Sequence, residues 1–225
     1  MTTSETKAPI QIKICGVTRA DDAAMVAAAG VDFVGLNFWP SSKRYLPVER
    51  APAVAEAARG SGRVAVVGVF VNTRLDDIVA ITRTLALDVV QLHGDETPQD
   101  AASVAHQTGS AVWKAVAVGR RSDLDRLDTW PVDAILLDTP TTGRGGSGRV
   151  FDWKLARDAR RAYPTRRFVL AGGLSPDNVR AAIDAVSPWA VDVASGIESA
   201  PGIKDPAKLA AFLAAVRGEP VPRTA

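Results

Sequence analysis

Cysteine is nearly missing: Cys15 is the one cysteine in 225 residues. An intrachain disulfide and a metal site built from several thiolates are therefore excluded, and a reducing compartment fits. Histidine is almost as scarce. His93 and His106 are the two in the chain, too few for a cluster of metal-ligand type. Charge of one sign is not in excess either. The 27 basic and 25 acidic residues leave a net charge of +2, without the footprint expected of a nucleic-acid binder. Basic pairs such as Arg120-Arg121 and Arg166-Arg167 are scattered and read as solvated surface. The longest apolar run, Ala65 to Val71, is far too short to span a bilayer. Met1 to Pro9 is polar and lacks the apolar stretch of a secretory signal. A soluble cytoplasmic protein with no membrane or nucleic-acid partner is expected, with a disordered extension at 1–9 and a tail at 218–225.

What is present is a regular alternation. Short apolar runs of strand length are followed by Ala-rich amphipathic segments of helix length. Strands are expected at Gln11–Cys15, Phe33–Asn37, Val64–Val71, Val89–Leu92, Ala111–Ala117, Ala134–Leu137, Phe168–Leu170 and Ala190–Val193. Each is followed by an expected helix; the fifth is a short one near Leu124, the sixth starts near Phe151, and Ser175-Pro176-Asp177-Asn178 supplies the cap and first turn of the seventh. Alternation implies βα units and a parallel sheet. Eight units over residues 10–217 fit an α/β single-domain (β/α)8 TIM barrel. An open doubly wound sheet would carry a glycine-rich fingerprint after its first strand. Here that turn is Cys15-Gly16-Val17-Thr18, which has none.

Active sites of such barrels form at the C-terminal strand ends. Those ends supply Cys15, Asn37, Asn72, His93, Lys114, Asp138, Gly172-Gly173 and Ser195-Gly196. The glycines after strands seven and eight let backbone N–H groups approach an anion, and this pair of loops points to phosphate. Gly145-Gly146-Ser147-Gly148, after strand six, reads equally as a further phosphate amide (Gly146, Ser147) or as a lid hinge. Cys15 can act as a base and Asp138 as an acid, against the alternatives of an inert thiol and a helix cap. Arg44, in the long loop after strand two, is either a carboxylate clamp or an exposed loop charge. His93 reads equally as a substrate contact or a structural hydrogen-bond partner. Strand alternation turns Lys13 inward below Cys15, beside Asp192 on the neighbouring eighth strand. The two are expected to pair inside the barrel, because an unpaired buried charge is too costly. The Lys13 ammonium is also expected to favour the Cys15 thiolate.

Together these stretches resemble the phosphoribosylanthranilate isomerases of tryptophan biosynthesis. The residues that carry the resemblance are Lys13 to Thr18, Ser42 to Tyr45, Gly68 to Asn72, Val90 to Gly94, Leu136 to Thr139, Gly145 to Gly148 with Phe151-Asp152-Trp153, Ala171 to Leu174, and Val191-Asp192-Val193 with Ser195-Gly196. The resemblance implies an Amadori rearrangement of a small phosphorylated aminoaldose, with no metal and no cofactor. It implies Asp138 as general acid, Cys15 as general base, Arg44 on the anthranilate carboxylate, and Gly172, Gly173, Ser195 and Gly196 on the phosphate. A monomer is expected, although some relatives are dimers. Ala194 departs from the small hydroxylic residue expected there. The related histidine-pathway isomerase uses aspartates at both catalytic strand ends, so Cys15 argues against it. A catalytically dead phosphosugar-binding barrel and a thiol redox sensor are the remaining alternatives; Cys15, Asp138 and Arg44 together disfavour both.

Overall fold

The computed structural model describes residues 9–60, 62–140 and 152–220. Eight parallel strands close into one barrel: β1 Gln11–Cys15, β2 Phe33–Asn37, β3 Ala65–Phe70, β4 Val89–Leu92, β5 Ala111–Ala117, β6 Ala134–Asp138, β7 Phe168–Leu170 and β8 Ala190–Val193. Closure comes from β1 pairing with both β2 and β8. Helices α1 Ala20–Ala28, α2 Ala51–Arg59, α3 Leu75–Leu85, α4 Pro98–Thr108, α5 Trp153–Ala162, α6 Val179–Val186 and α7 Pro206–Arg217 pack outside. A two-stranded hairpin, β9 Glu198–Ala200 and β10 Ile203–Lys204, is inserted between β8 and α7. None of these helices is long and apolar enough to cross a membrane.

Alternate strand residues separate two apolar regions. One set, including Ile14, Val34, Leu36, Val66 and Leu137, packs against the helices. The other, including Val67, Val89, Trp113, Leu136 and Val169, fills the barrel. At the N-terminal end the lumen is plugged by aromatic rings. Phe33 and Trp113 meet edge to face at 4.9 Å, and Trp113 meets Trp189 at 5.7 Å. The Arg167 guanidinium lies 5.2 Å from the Trp189 ring. Such pairs favour edge-on geometry through their quadrupoles. With the bottom filled, the open volume lies at the C-terminal end.

The expected boundaries hold within a residue or two, with two corrections. After β5 there is no α-helix among the described residues, only 3₁₀ turns at Arg121–Leu124 and Leu127–Thr129. The apolar positions here, Leu124, Leu127 and Trp130, recur every three residues, which suits 3₁₀ geometry. Arg126, with φ of 65°, breaks any longer helix. Among the described residues, seven α-helices thus stand where eight were expected. Second, regular α6 starts at Val179: the expected first turn is present, with the Ser175 carbonyl accepting from the Val179 amide at 3.0 Å, but no side chain caps the helix. Instead, Asn178 Oδ1 accepts from the Ser175 amide at 2.9 Å, and its Nδ2 donates to the Gly173 carbonyl at 2.9 Å. The side chain that could cap the helix pins the glycine loop instead. The loop at 145–148, Phe151, and the terminal stretches 1–8 and 221–225 lie outside the described residues.

Candidate active site

A cavity of about 490 Å³ opens at the C-terminal end of the barrel. Cys15, Arg44, His93, Asp138, Gly172, Gly173 and Ser195 all line it. Each arrives there by strand parity or by a loop held in place.

Cys15 is the last residue of β1, opposite Gly35 of β2. A Cβ on Gly35 would come within 3.0 Å of the Cys15 sulfur and 3.3 Å of Lys13 Cε. The missing side chain on β2 therefore makes room for the thiol and the ammonium beneath it. Lys13 is fully buried and its Nζ lies 2.9 Å from Asp192 Oδ2, in the pair expected from alternation and closure. Burial opposes the charge on Lys13, but Asp192 and Cys15 hold its pKa above the ordinary lysine value. Cys15 goes the other way. Burial pushes the thiol up, and Lys13 offsets this only in part. The Lys13 ammonium favours the thiolate, as expected, and burial, the larger effect, opposes it.

Arg44 reaches the mouth from a loop folded onto its own strand. Asn37 Oδ1 accepts from the Trp39 amide at 2.9 Å, Asn37 Nδ2 donates to Ser42 Oγ at 3.2 Å, and Ser42 Oγ accepts from the Arg44 amide at 3.1 Å. Asn37 therefore shapes the loop. The Arg44 stem then crosses Gly16, whose φ is +69° and where a Cβ would come within 2.4 Å of Arg44 Cδ. The guanidinium forks onto Glu198 of the β9–β10 hairpin, Nε to Oε1 at 2.8 Å and Nη2 to Oε2 at 2.5 Å. Lys204 completes this group, its Nζ 2.8 Å from Glu198 Oε1 and 2.6 Å from the Cys15 carbonyl. Burial would raise the Glu198 carboxyl, but Arg44 and Lys204 bring it below the ordinary value.

Across the mouth, Asp138 ends β6. Its Oδ1 accepts from the Thr139 amide at 2.7 Å, and Oδ2 lies 3.4 Å from His93 Nε2. His93 Nδ1 lies 3.0 Å from the amide nitrogen of buried Gln91. His93 is thus a cavity residue and a close neighbour of Asp138. Gly172 leaves the space that Asp138 needs: a Cβ there would stand 3.0 Å from Asp138 Oδ1.

Gly172 and Gly173 both have positive φ, 83° and 68°. Among the described residues, the backbone N–H groups of Gly172, Gly173 and Ser195 find no protein acceptor. They are available to an anion. Gly196 does different work. It does not line the cavity, and a Cβ there would come within 2.0 Å of the Leu174 carbonyl. It lets the loops after β7 and β8 approach each other. Asp192 Oδ1, buried in the cavity floor, has no hydrogen-bond partner among the described residues, a vacancy that a sugar hydroxyl can fill.

Two strand-end residues leave the set. Lys114 faces away from the lumen: its Nζ reaches Glu96 at 2.7 Å and the Gly94 carbonyl at 2.7 Å. Its neighbours Trp113 and Ala115 hold the inward positions of β5. Asn72, with φ of 50°, accepts from the Asp95 amide at 2.7 Å and does not line the cavity. Glu198, Lys204 and Gly35 were not anticipated. The signal for the first two was the Pro201-Gly202 dipeptide, which marks a turn between short segments.

Comparison with known proteins adds a consistent result. The family model for N-(5′-phosphoribosyl)anthranilate (PRA) isomerase matches residues 12–215. An N-(5′-phosphoribosyl)anthranilate isomerase of Ralstonia nicotianae is 43% identical over 217 residues, 92% of each chain. A crystal structure of the Thermotoga maritima phosphoribosyl anthranilate isomerase superposes with a TM-score of 0.84 at 41% identity, covering 93% of this chain and 99% of that one. Another structure of such an isomerase, in complex with reduced 1-(O-carboxyphenylamino)-1-deoxyribulose 5-phosphate, gives a TM-score of 0.81 at 38% identity, over 93% and 99% of the chains.

Proposed function

Because the chain belongs to the N-(5′-phosphoribosyl)anthranilate isomerase family, we propose an assignment of roles in its mouth that starts from that family's reaction. The reaction is the Amadori rearrangement of an aminoaldose, N-(5-phosphoribosyl)anthranilate, to 1-(2-carboxyphenylamino)-1-deoxyribulose 5-phosphate in tryptophan biosynthesis.

Asp138 is the general acid. It protonates the furanose ring oxygen, the C1′–O bond breaks, and the nitrogen lone pair forms a Schiff base. Cys15 as thiolate removes the C2′ proton, giving an enolamine that tautomerises to the ketone. One proton is given and one is taken, so net redox state is unchanged and the chemistry itself requires no metal or redox cofactor. His93 stands beside the ribose and keeps the Asp138 carboxyl aimed. Arg44 holds the anthranilate carboxylate. The amides of Gly172, Gly173 and Ser195 hold the phosphate, and Gly196 brings their two loops together. Asp192 Oδ1 accepts from a ribose hydroxyl.

The observation that carries this reading is the shared wall of one cavity: Cys15 and Asp138 face it between an arginine on one side and free backbone amides on the other. A substrate with anions at both ends is stretched between acid and base by such a site. A cytoplasmic monomer is part of the same reading. Among the described residues, Tyr45 and Ile203 are the large exposed apolar side chains, at 36% and 38% exposure, and light scattering on the purified chain tests the oligomeric state.

Fluorescence loss of phosphoribosylanthranilate measures the assignment of acid and base. Cys15→Ser and Asp138→Asn should each lower kcat by roughly 10²-fold or more, with melting curves close to wild type. Full activity in either variant removes its residue from the mechanism.

A further inference from the structure

The β9–β10 hairpin has no place in the proton transfers, yet it puts two buried charged side chains against the mouth. Glu198 is 8% exposed and Lys204 3%. Glu198 takes the Nε and Nη2 edge of Arg44, and also accepts from Lys204 Nζ at 2.8 Å and from the Gly202 amide at 3.3 Å. A carboxylate held from this many directions is fixed, and a planar guanidinium forked onto it is fixed as well. The hairpin is itself anchored. The Lys204 amide donates to Asp22 of α1 at 3.1 Å, and Thr18 Oγ1 donates to the Gly202 carbonyl at 2.8 Å.

Two features show what this arrangement is for. The fork uses Nε and Nη2 and leaves Nη1 without a protein partner among the described residues, while Arg44 lines the cavity. The charges are also uneven: one carboxylate, Glu198, stands between two cations, Arg44 and Lys204. The neighbouring Lys13–Asp192 pair is balanced. A second carboxylate arriving at the free edge of Arg44 would give that cation a further partner.

We propose that Glu198, braced by Lys204 and the hairpin, is a positioning residue that pre-orients Arg44 to receive the carboxylate of the substrate's aromatic ring. This rests on the assignment of Arg44 to that carboxylate. An arginine on a flexible stem loses side-chain freedom when a ligand fixes it. Glu198 makes that loss part of folding, so its contribution appears in substrate binding and not in the chemical step. Lys204 Nζ, at 2.6 Å from the Cys15 carbonyl, ties the clamp to the strand end that carries the base.

A double-mutant cycle tests this with two substrates: phosphoribosylanthranilate, and the same aminoaldose made from aniline, which has no carboxylate. Glu198→Gln keeps the shape and removes the charge. It should raise KM for phosphoribosylanthranilate roughly tenfold or more while kcat changes by less than about threefold. For the aniline compound, kcat/KM should not change. In an Arg44→Ala background, Glu198→Gln should add nothing. Glu198→Asp, which keeps a charge for Lys204 but is too short for the fork, should show the same KM signature if the Gln variant does not fold. Equal losses on both substrates, or losses that add to those of Arg44→Ala, overturn the positioning role. If Arg44→Ala alone does not discriminate between the two substrates, the assignment of Arg44 itself fails, whatever Glu198 does.

Discussion

The two sides of the mouth are each organised by a buried glutamate, and the glutamates do different work. On the Cys15 side, Glu198 holds Arg44, a side chain that faces the cavity. On the Asp138 side, Glu96 accepts from the backbone amides of Asn72 and Gly94, both at 2.8 Å, and from Lys114 at 2.7 Å. None of these three faces the cavity. The first glutamate thus shapes what a ligand meets, and the second joins two βα loops to strand β5 behind it. Both side chains are largely buried, Glu198 pairing with two cations and Glu96 with one. What differs is whether the partner's other edge is open to the cavity.

The sharpest way to break the comparison is at the floor of the Cys15 side. Lys13→Met leaves Asp192 buried without its cation and should destabilise the fold by about 3–5 kcal/mol, read from urea unfolding. A loss within experimental error would mean that Asp192 is neutral or hydrated in the native state. Glu96→Gln should cost less, about 1–3 kcal/mol, and should leave KM and kcat near wild type at temperatures where it is folded. A rise in KM without loss of stability would erase the contrast with Glu198.

The smallest effect is a titration. Cys15 is the chain's one cysteine, so alkylation by iodoacetamide reports its thiolate alone. Its folded pKa is raised, first by burial, above an ordinary thiol value of 9.0. Alkylation should therefore still be rising with pH at 9.0, and Lys13→Met should move the curve further up, since the ammonium favours the thiolate. A midpoint below 9.0 would show that Lys13 outweighs burial. Thiol reactivity reads this one group directly.

Much of the site was legible because it depends on parity and order. Strand alternation turned Cys15 and Lys13 to the same side, and closure of eight strands brought Asp192 beside Lys13. Asp138 and the paired glycines followed from their positions at strand ends. Lys114 was misread because β5 is apolar on both faces apart from that lysine, so its pattern does not declare which face is the lumen. Gly196 showed only part of its work, because a glycine required by a close backbone approach looks the same in sequence as one that bares an amide. Glu198 and Lys204 gave no sign of their partners: Arg44 lies 154 residues from Glu198 along the chain.

Local pattern therefore set the barrel, its order of strands and the strand ends that face the mouth, because period-two alternation and glycine-marked turns act over a few residues. The tertiary structure decided which charges meet, what each glycine makes room for, and how strongly burial opposes the Cys15 thiolate. Those outcomes depend on distances between strands, loops and a hairpin far apart in the chain, and on how much water their packing excludes.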